Sequence, residues 1–171
     1  GSTRVGKRVG TIVAERFGRS LLELGGNNAI IITENADLEM ALRAVVFGSV
    51  GTAGQRCTST RRLIIHESVY ETFKAKLLNS YKHIRIGHPL DAKTLVGPLI
   101  DKGAVKDFLS AMDRVKDEGG KIIFGGQVLQ GEGYESGCYV HPCIAEVTGN
   151  LPIVCDETFA PLLYMMKYET L

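Results

Sequence analysis

Short β-branched runs alternate with amphipathic helical stretches along the whole of this 171-residue chain. That alternation restricts the fold more than any other feature. Strand-like runs are Leu21 to Leu24, Ala29 to Thr33, Arg62 to His66, Lys121 to Phe124, Tyr139 to Val147 and Leu162 to Tyr168. Helical patterns fall between them. The first opens at Ser2 or Thr3 and runs to Phe17, with Val5, Val9, Ile12, Val13 and Phe17 on one side and Gly18 as its stop. Asp37 caps a second, in which Leu38, Ala41, Leu42, Val45 and Val46 keep the helical period and Glu39 pairs with Arg43. Ser68 and Glu71 form a capping box for a third, with Tyr70, Phe73, Leu77, Tyr81 and Ile84 inward. Asp101 opens a fourth, with Val105, Phe108, Leu109, Met112 and Val115 inward, and Gly119-Gly120 ends it. Strands and helices in alternation pack as an α/β fold, a largely parallel sheet flanked by helices.

Composition excludes several classes. Hydrophobic residues make up 44% of the chain and charged residues 23%, enough apolar material for a real core and too much for disorder. The net charge is +1 and no run of Lys or Arg stands out, so no nucleic-acid or anionic-membrane surface is expected. Apolar runs such as Ala29 to Ile32 are far too short to span a bilayer. The opening Gly-Ser-Thr-Arg-Val-Gly lacks the apolar stretch of a secretory leader. The expectation is an intracellular enzyme of the cytoplasm or mitochondrial matrix, with any targeting region outside this chain. The four cysteines, Cys57, Cys138, Cys143 and Cys155, include no Cys-x-x-Cys pair, and disulfides are not expected. Cys138, His141 and Cys143 cluster, but without a second ligand pair they read as strand residues, and no metal is expected.

Four local features carry candidate chemistry. In Gly51-Thr-Ala-Gly54-Gln55-Arg56-Cys57-Thr58, glycines allow a tight path that can expose a thiol at a turn, where backbone N–H groups converge on a developing oxyanion. Arg56 adds positive charge that favours thiolate. The competing reading, a buried structural cysteine, stands level with it. In Leu22-Glu23-Leu24-Gly25-Gly26-Asn27-Asn28, an acid inside an apolar strand would be a better base near neutral pH, and the glycines allow close approach to a ligand. Taken alone, a strand-end glutamate facing water is the stronger reading. Gly1-Ser2-Thr3-Arg4-Val5-Gly6 opens a helix, whose free N–H groups and hydroxyl suit a pyrophosphate or serve as a plain cap. Glu157-Thr-Phe159-Ala-Pro161 sets a carboxylate beside an aromatic ring, suited to a ribose and a nicotinamide or to a polar turn. No Gly-x-Gly-x-x-Gly occurs, so the usual dinucleotide fingerprint is missing.

Taken together and in this order, Gly-Ser-Thr-x-Val-Gly, Glu-Leu-Gly-Gly-Asn, Gly-Gln-Arg-Cys-Thr and Glu-Thr-Phe-Ala-Pro resemble the aldehyde dehydrogenase superfamily. The resemblance covers essentially the whole chain. Glu-Leu-Gly-Gly-Asn-Asn, Arg16-Phe-Gly-Arg-Ser-Leu-Leu and Ala160 in the last motif look most like its antiquitin branch, the α-aminoadipic semialdehyde dehydrogenases. The resemblance implies NAD(P)-dependent oxidation of a small aldehyde, with NAD as cofactor and NADP as a possible substitute. Cys57 would be the nucleophile and Glu23 the base that activates water. Ser2 would contact the pyrophosphate, Leu24 and Gly25 would face the nicotinamide, Glu157 would bind its ribose and Phe159 would pack beside it. Arg56, with Thr58 beside the nucleophile, would meet the substrate, the guanidinium holding a distal carboxylate. It implies that residues 1–20 close a cofactor-binding domain and that 21–171 are an incomplete thiol-bearing catalytic domain, an internal piece of a subunit that is a homo-oligomer at full length. It also implies that this piece by itself does not turn over.

Other readings stay open on sequence grounds. A CoA-acylating semialdehyde dehydrogenase would not need Glu23. A non-catalytic module could keep the fold and lose the reaction. A cysteine hydrolase would need a histidine base, and His66, His83, His88 and His141 have no telling context.

Overall fold

A computed structural model describes residues 1–170. The elements are α1 (Thr3–Glu15), β1 (Asn28–Ile32), α2 (Leu38–Val50), β2 (Thr60–His66), α3 (Glu67–Lys82), α4 (Lys102–Asp117), β3 (Lys121–Phe124), β4 (Cys143–Glu146) and β5 (Leu162–Tyr168). One sheet runs in the order β1-β2-β5-β4-β3. Four strands are parallel and only β3 runs antiparallel, against β4. The expected α/β fold, with a mostly parallel sheet and flanking helices, is therefore the fold observed.

The central strand explains itself. Leu162 to Met166 of β5 are buried without interruption, as a parallel strand covered on both faces requires. They share one core with Leu63 and Ile65 of β2, Tyr70, Phe73 and Leu77 of α3, and Phe108 and Val115 of α4. Each large side chain removed from water contributes about 1.5–3 kcal/mol. The caps also follow from the sequence. Asp37 accepts the N–H groups of Glu39 and Met40, both at 3.0 Å. Asp101 accepts that of Ala104 at 2.8 Å.

Several expectations need correction. Leu21 to Leu24 form no strand: no neighbour offers them a ladder, and Leu21 and Leu22 are exposed. The strand expected over Tyr139 to Val147 shortens to β4, because Val140 makes only an isolated bridge to Val128. His66, not Ser68, caps α3, its ring accepting the Ser68 N–H. Glu39 pairs with Lys76 of α3 rather than with Arg43. In α4, Ala111 lies inward and Leu109 faces outward. α1 stops through Phe17, which takes a left-handed conformation (φ 55°) while Gly18 N–H returns to Val13 O at 2.9 Å. Its expected inner face is mostly turned outward: Val5, Val9, Ile12 and Phe17 are exposed. α1 meets the chain on another side, where Gly6 lies against Leu24 and Gly10 against Leu22.

Candidate active site

Each of three motifs ends where a strand begins. Asn28 is the first residue of β1, Cys57 stands three residues before β2, and Glu157 to Pro161 lead into β5. β1, β2 and β5 are adjacent and parallel. Their N-terminal ends therefore lie along one edge of the sheet, and the three motifs meet there.

The contacts at this edge are polar and specific. Asn28 Nδ2 donates to Cys57 O at 2.6 Å and to Ser59 O at 3.0 Å. Gly26 N–H donates to Glu157 Oε1 at 2.9 Å. Gly26 is required by packing against backbone, and Gly25 leaves room for the Glu157 side chain. A Cβ on Gly26 would overlap the Cys57 carbonyl oxygen, and one on Gly25 would overlap the Glu157 carboxylate. The chain three residues beyond Glu23 thus touches the backbone of Cys57 itself. Glu23 is exposed, as the water-facing reading of the local sequence has it, though it lies in no strand.

The thiol-bearing loop leaves α2 through a tight turn. Thr52, Ala53 and Gly54 are all left-handed, with φ of 54°, 52° and 68°. The first two carry a Cβ, and this conformation costs such residues about 1–2 kcal/mol each. Surrounding structure holds the turn. Gly54 presses on the Ala160–Pro161 backbone. Gln55 donates to Thr52 O and Pro98 O, each at 3.3 Å, and accepts Ile100 N–H at 2.9 Å. Cys57 and Thr58 emerge exposed. Arg56 folds back toward α2: its Nη2 donates to Phe47 O at 3.3 Å, its guanidinium lies 5.1 Å from the Phe47 ring, and its buried Nε has no partner.

Phe159 is 46% exposed beside a cavity of about 680 Å³ lined by Thr52, Ala53, Gln55, Pro98, Leu99 and other mostly apolar groups. A small organic molecule fits such a space. Ser2 caps α1, its Oγ accepting Val5 N–H at 3.4 Å, and Leu24 covers Gly6 of the same helix.

Arg61 is the functional candidate that sequence reasoning missed. Its side chain is 1% exposed and bonded to all three motifs. A signal was present: two arginines directly precede the apolar run Leu63 to Ile65, the first of them four residues after the cysteine. His66 sits at the far end of β2 from Cys57 and bonds Ser68, and His83 bonds Asn79 O. The histidine base of a cysteine hydrolase is thus not supplied by either. Cys143 is a core residue whose thiol burial pushes up to about 12. Among the described residues, no group of three potential metal ligands converges and no helix is long and apolar enough to cross a membrane.

The sequence model for the aldehyde dehydrogenase family matches residues 1–171. The chain belongs to the aldehyde dehydrogenase family. Among relatives, it is 51% identical to α-aminoadipic semialdehyde dehydrogenase of Rattus norvegicus, over 99% of this chain and 31% of that protein. It is 48% identical to aldehyde dehydrogenase family 7 member A1 of Pisum sativum, over 100% of this chain and 33% of that protein. Among solved structures, betaine aldehyde dehydrogenase of Staphylococcus aureus in complex with NAD+ superposes with a TM-score of 0.93 at 30% identity, over 99% of this chain and 34% of that one. The chain spans about a third of the length of these aldehyde dehydrogenases. The resemblance drawn from the four motifs, including its leaning toward the α-aminoadipic semialdehyde branch, agrees with these matches.

Proposed function

We propose that the protein to which this chain belongs oxidises an aldehyde, a semialdehyde such as α-aminoadipic semialdehyde, to the acid with NAD. The observation that carries this reading is the meeting of three motifs at one sheet edge, with the Cys57 backbone bonded to the Glu23–Asn28 segment.

The residues present fit a nicotinamide dinucleotide. The start of α1 offers free N–H groups and the Ser2 hydroxyl to a pyrophosphate. Gly25 leaves the space a Cβ would fill, the Glu157 carboxylate is 28% exposed, and the Phe159 ring borders a largely apolar cavity. When bound, the nicotinamide accepts the hydride from the substrate carbon. NADP remains the alternative cofactor. α1 lies against Leu24 through Gly6 and against Leu22 through Gly10, with little contact to the sheet. This supports reading residues 1–20 as the end of a cofactor-binding part and 21–171 as the thiol-bearing part.

The chain's own residues divide the work. Cys57, as thiolate, attacks the aldehyde carbon and forms a thiohemiacetal, whose oxyanion accepts the Cys57 N–H. Loss of hydride leaves a thioester on Cys57. Glu23 takes a proton from water, the hydroxide equivalent adds to the thioester carbon, and the acid departs as the thiolate reforms. An exposed carboxylate suits this role because water reaches it freely. Arg56 would offer its guanidinium to a distal carboxylate of the semialdehyde once turned from Phe47, and Thr58 would border the same substrate.

In the whole protein, Cys57→Ala is expected to abolish aldehyde-dependent NADH formation. Glu23→Gln is expected to keep a single-turnover burst of NADH and to slow steady turnover at least about a hundredfold, the ordinary range for losing a general base. A Cys57→Ala enzyme with undiminished turnover sinks the reading.

A further inference from the structure

Arg61 makes five hydrogen bonds, one from each N–H of its guanidinium. Nε donates to Gly26 O at 3.2 Å. Nη1 donates to Gly54 O at 3.0 Å and Thr158 O at 2.6 Å. Nη2 donates to Arg56 O at 3.0 Å and Glu157 Oε1 at 3.3 Å. A guanidinium has five such donors in a fixed planar fork, so none is left over. The acceptors belong to the base-bearing segment, the thiol-bearing loop on both sides of Gln55, and the segment that carries Glu157. None of these carbonyls belongs to a strand or an α-helix, and Gly54 ends the short turn at 51–54. The Phe159 ring lies 5.2 Å from the same guanidinium.

We infer that Arg61 is a positioning residue that holds the Cys57 loop, the Glu23–Asn28 segment and Glu157 in register. The inference rests on the reaction proposed above. Four backbone carbonyls fix where the loops run, while the fifth bond reports on Glu157. That carboxylate oxygen also accepts Gly26 N–H, so Glu157, Gly26 and Arg61 close a small ring of contacts. Burial lowers the tendency of Arg61 to stay charged, and the Glu157 carboxylate chiefly opposes this. A lysine cannot replace this arrangement, because its three donors radiate from a single point.

The test is the pH–rate profile for alkylation of Cys57 by iodoacetamide in the full chain, resolved by peptide mass. Two other thiols serve as controls in the same molecule: Cys155 is exposed and Cys143 is buried. In the native chain Cys57 is expected to react faster than Cys155. If it does not, the nucleophile reading fails, independently of Arg61. In Arg61→Lys the Cys57 alkylation rate is expected to fall about tenfold as the loop loses its anchoring bonds, with Cys155 unchanged and Cys143 still protected. An unaltered Cys57 profile in Arg61→Lys overturns the inference while leaving the nucleophile reading intact. If Cys143 becomes reactive, the fold has been disturbed, and Glu157→Gln decides instead. That variant keeps all four carbonyl bonds and removes only the charged partner. A shift in the Cys57 profile of threefold or more, as expected from a nearby charge, supports the coupling. No shift overturns it.

Discussion

The motif-bearing edge and the body of the sheet behind it are held by different forces. In the body, Phe73, Leu77, Phe108, Val115, Leu163 and Met165 are fully buried against one another. Few of their contacts depend on a directed hydrogen bond, and hydrophobic burial supplies the stability. At the edge the chain is largely irregular, Cys57, Glu23 and Leu21 are exposed, and order comes from side chains that bond to backbone: Asn28, Gln55 and above all Arg61. Apolar packing fixes a shape without fixing individual atoms. A network of directed bonds holds particular atoms in place and gives up little to water exclusion. The edge can therefore present reactive groups while the body carries the stability.

Four substitutions bear on that contrast, from the largest expected effect to the smallest. Phe108→Ala empties a fully buried site and is expected to cost about 3–5 kcal/mol in denaturant unfolding. The ratio of Cys57 to Cys155 alkylation below the transition should not move; if it does, the two regions are not separable. Gly25→Ala drives a Cβ into the Glu157 carboxylate, which must swing away from Gly26 N–H and Arg61. We expect a loss of about 1–2 kcal/mol, since the bonds are charged but partly exposed, and weaker NAD binding by calorimetry in the whole protein. Full-strength binding would detach Glu157 from the cofactor.

Glu146→Gln probes polar support at the body's surface. Burial acts to raise the Glu146 carboxyl, but bonds from Lys74 and Tyr70, both at 2.7 Å, outweigh it and hold the group below its usual range. A carboxyl lowered on folding stabilises above its unfolded value, about 4.3, and that contribution disappears as pH falls through the folded value. The variant is expected to cost under about 1 kcal/mol at neutral pH, reduced by solvent screening, with the difference from the parent fading in acid. A gap that persists at low pH would assign the effect to packing. Val9→Ser, on the outward stripe of α1, is expected to change stability by less than about 0.5 kcal/mol. A larger loss would mean that this face is covered in solution.

The sequence was most informative where a single element determines its own structure. Apolar periodicity marked α2, α3 and α4, and the β-branched runs marked β1, β2, β3 and β5 nearly to the residue. Asp37 and Asp101 were readable as caps because a carboxylate beside a helix start has one obvious use. Periodicity identifies an apolar face but not what covers it. The stripe of α4 is buried apart from Leu109, while that of α1 is largely bare, and nothing in the local pattern separates the two. Leu21 to Leu24 fail for a related reason: an apolar run becomes a strand only if a neighbour offers a ladder. Cys57, Glu23 and Glu157 were visible through the motifs that contain them. Arg61 was hidden because four of its five partners are backbone carbonyls, one as distant in sequence as Thr158, and carbonyls leave no trace in residue identity.

Because each motif lies at or within three residues of the start of a strand, the hydrogen-bond ladder acts as the ruler against which the three motifs are aligned. Slipping β2 by one residue against β5 would carry the sulfur about 3.3 Å along the sheet and turn alternate side chains through it. The fully buried pairing of Leu63 with Met165 at the centre of the sheet resists such a slip. Precision at the exposed rim is thus inherited from oil-filled registration several residues away.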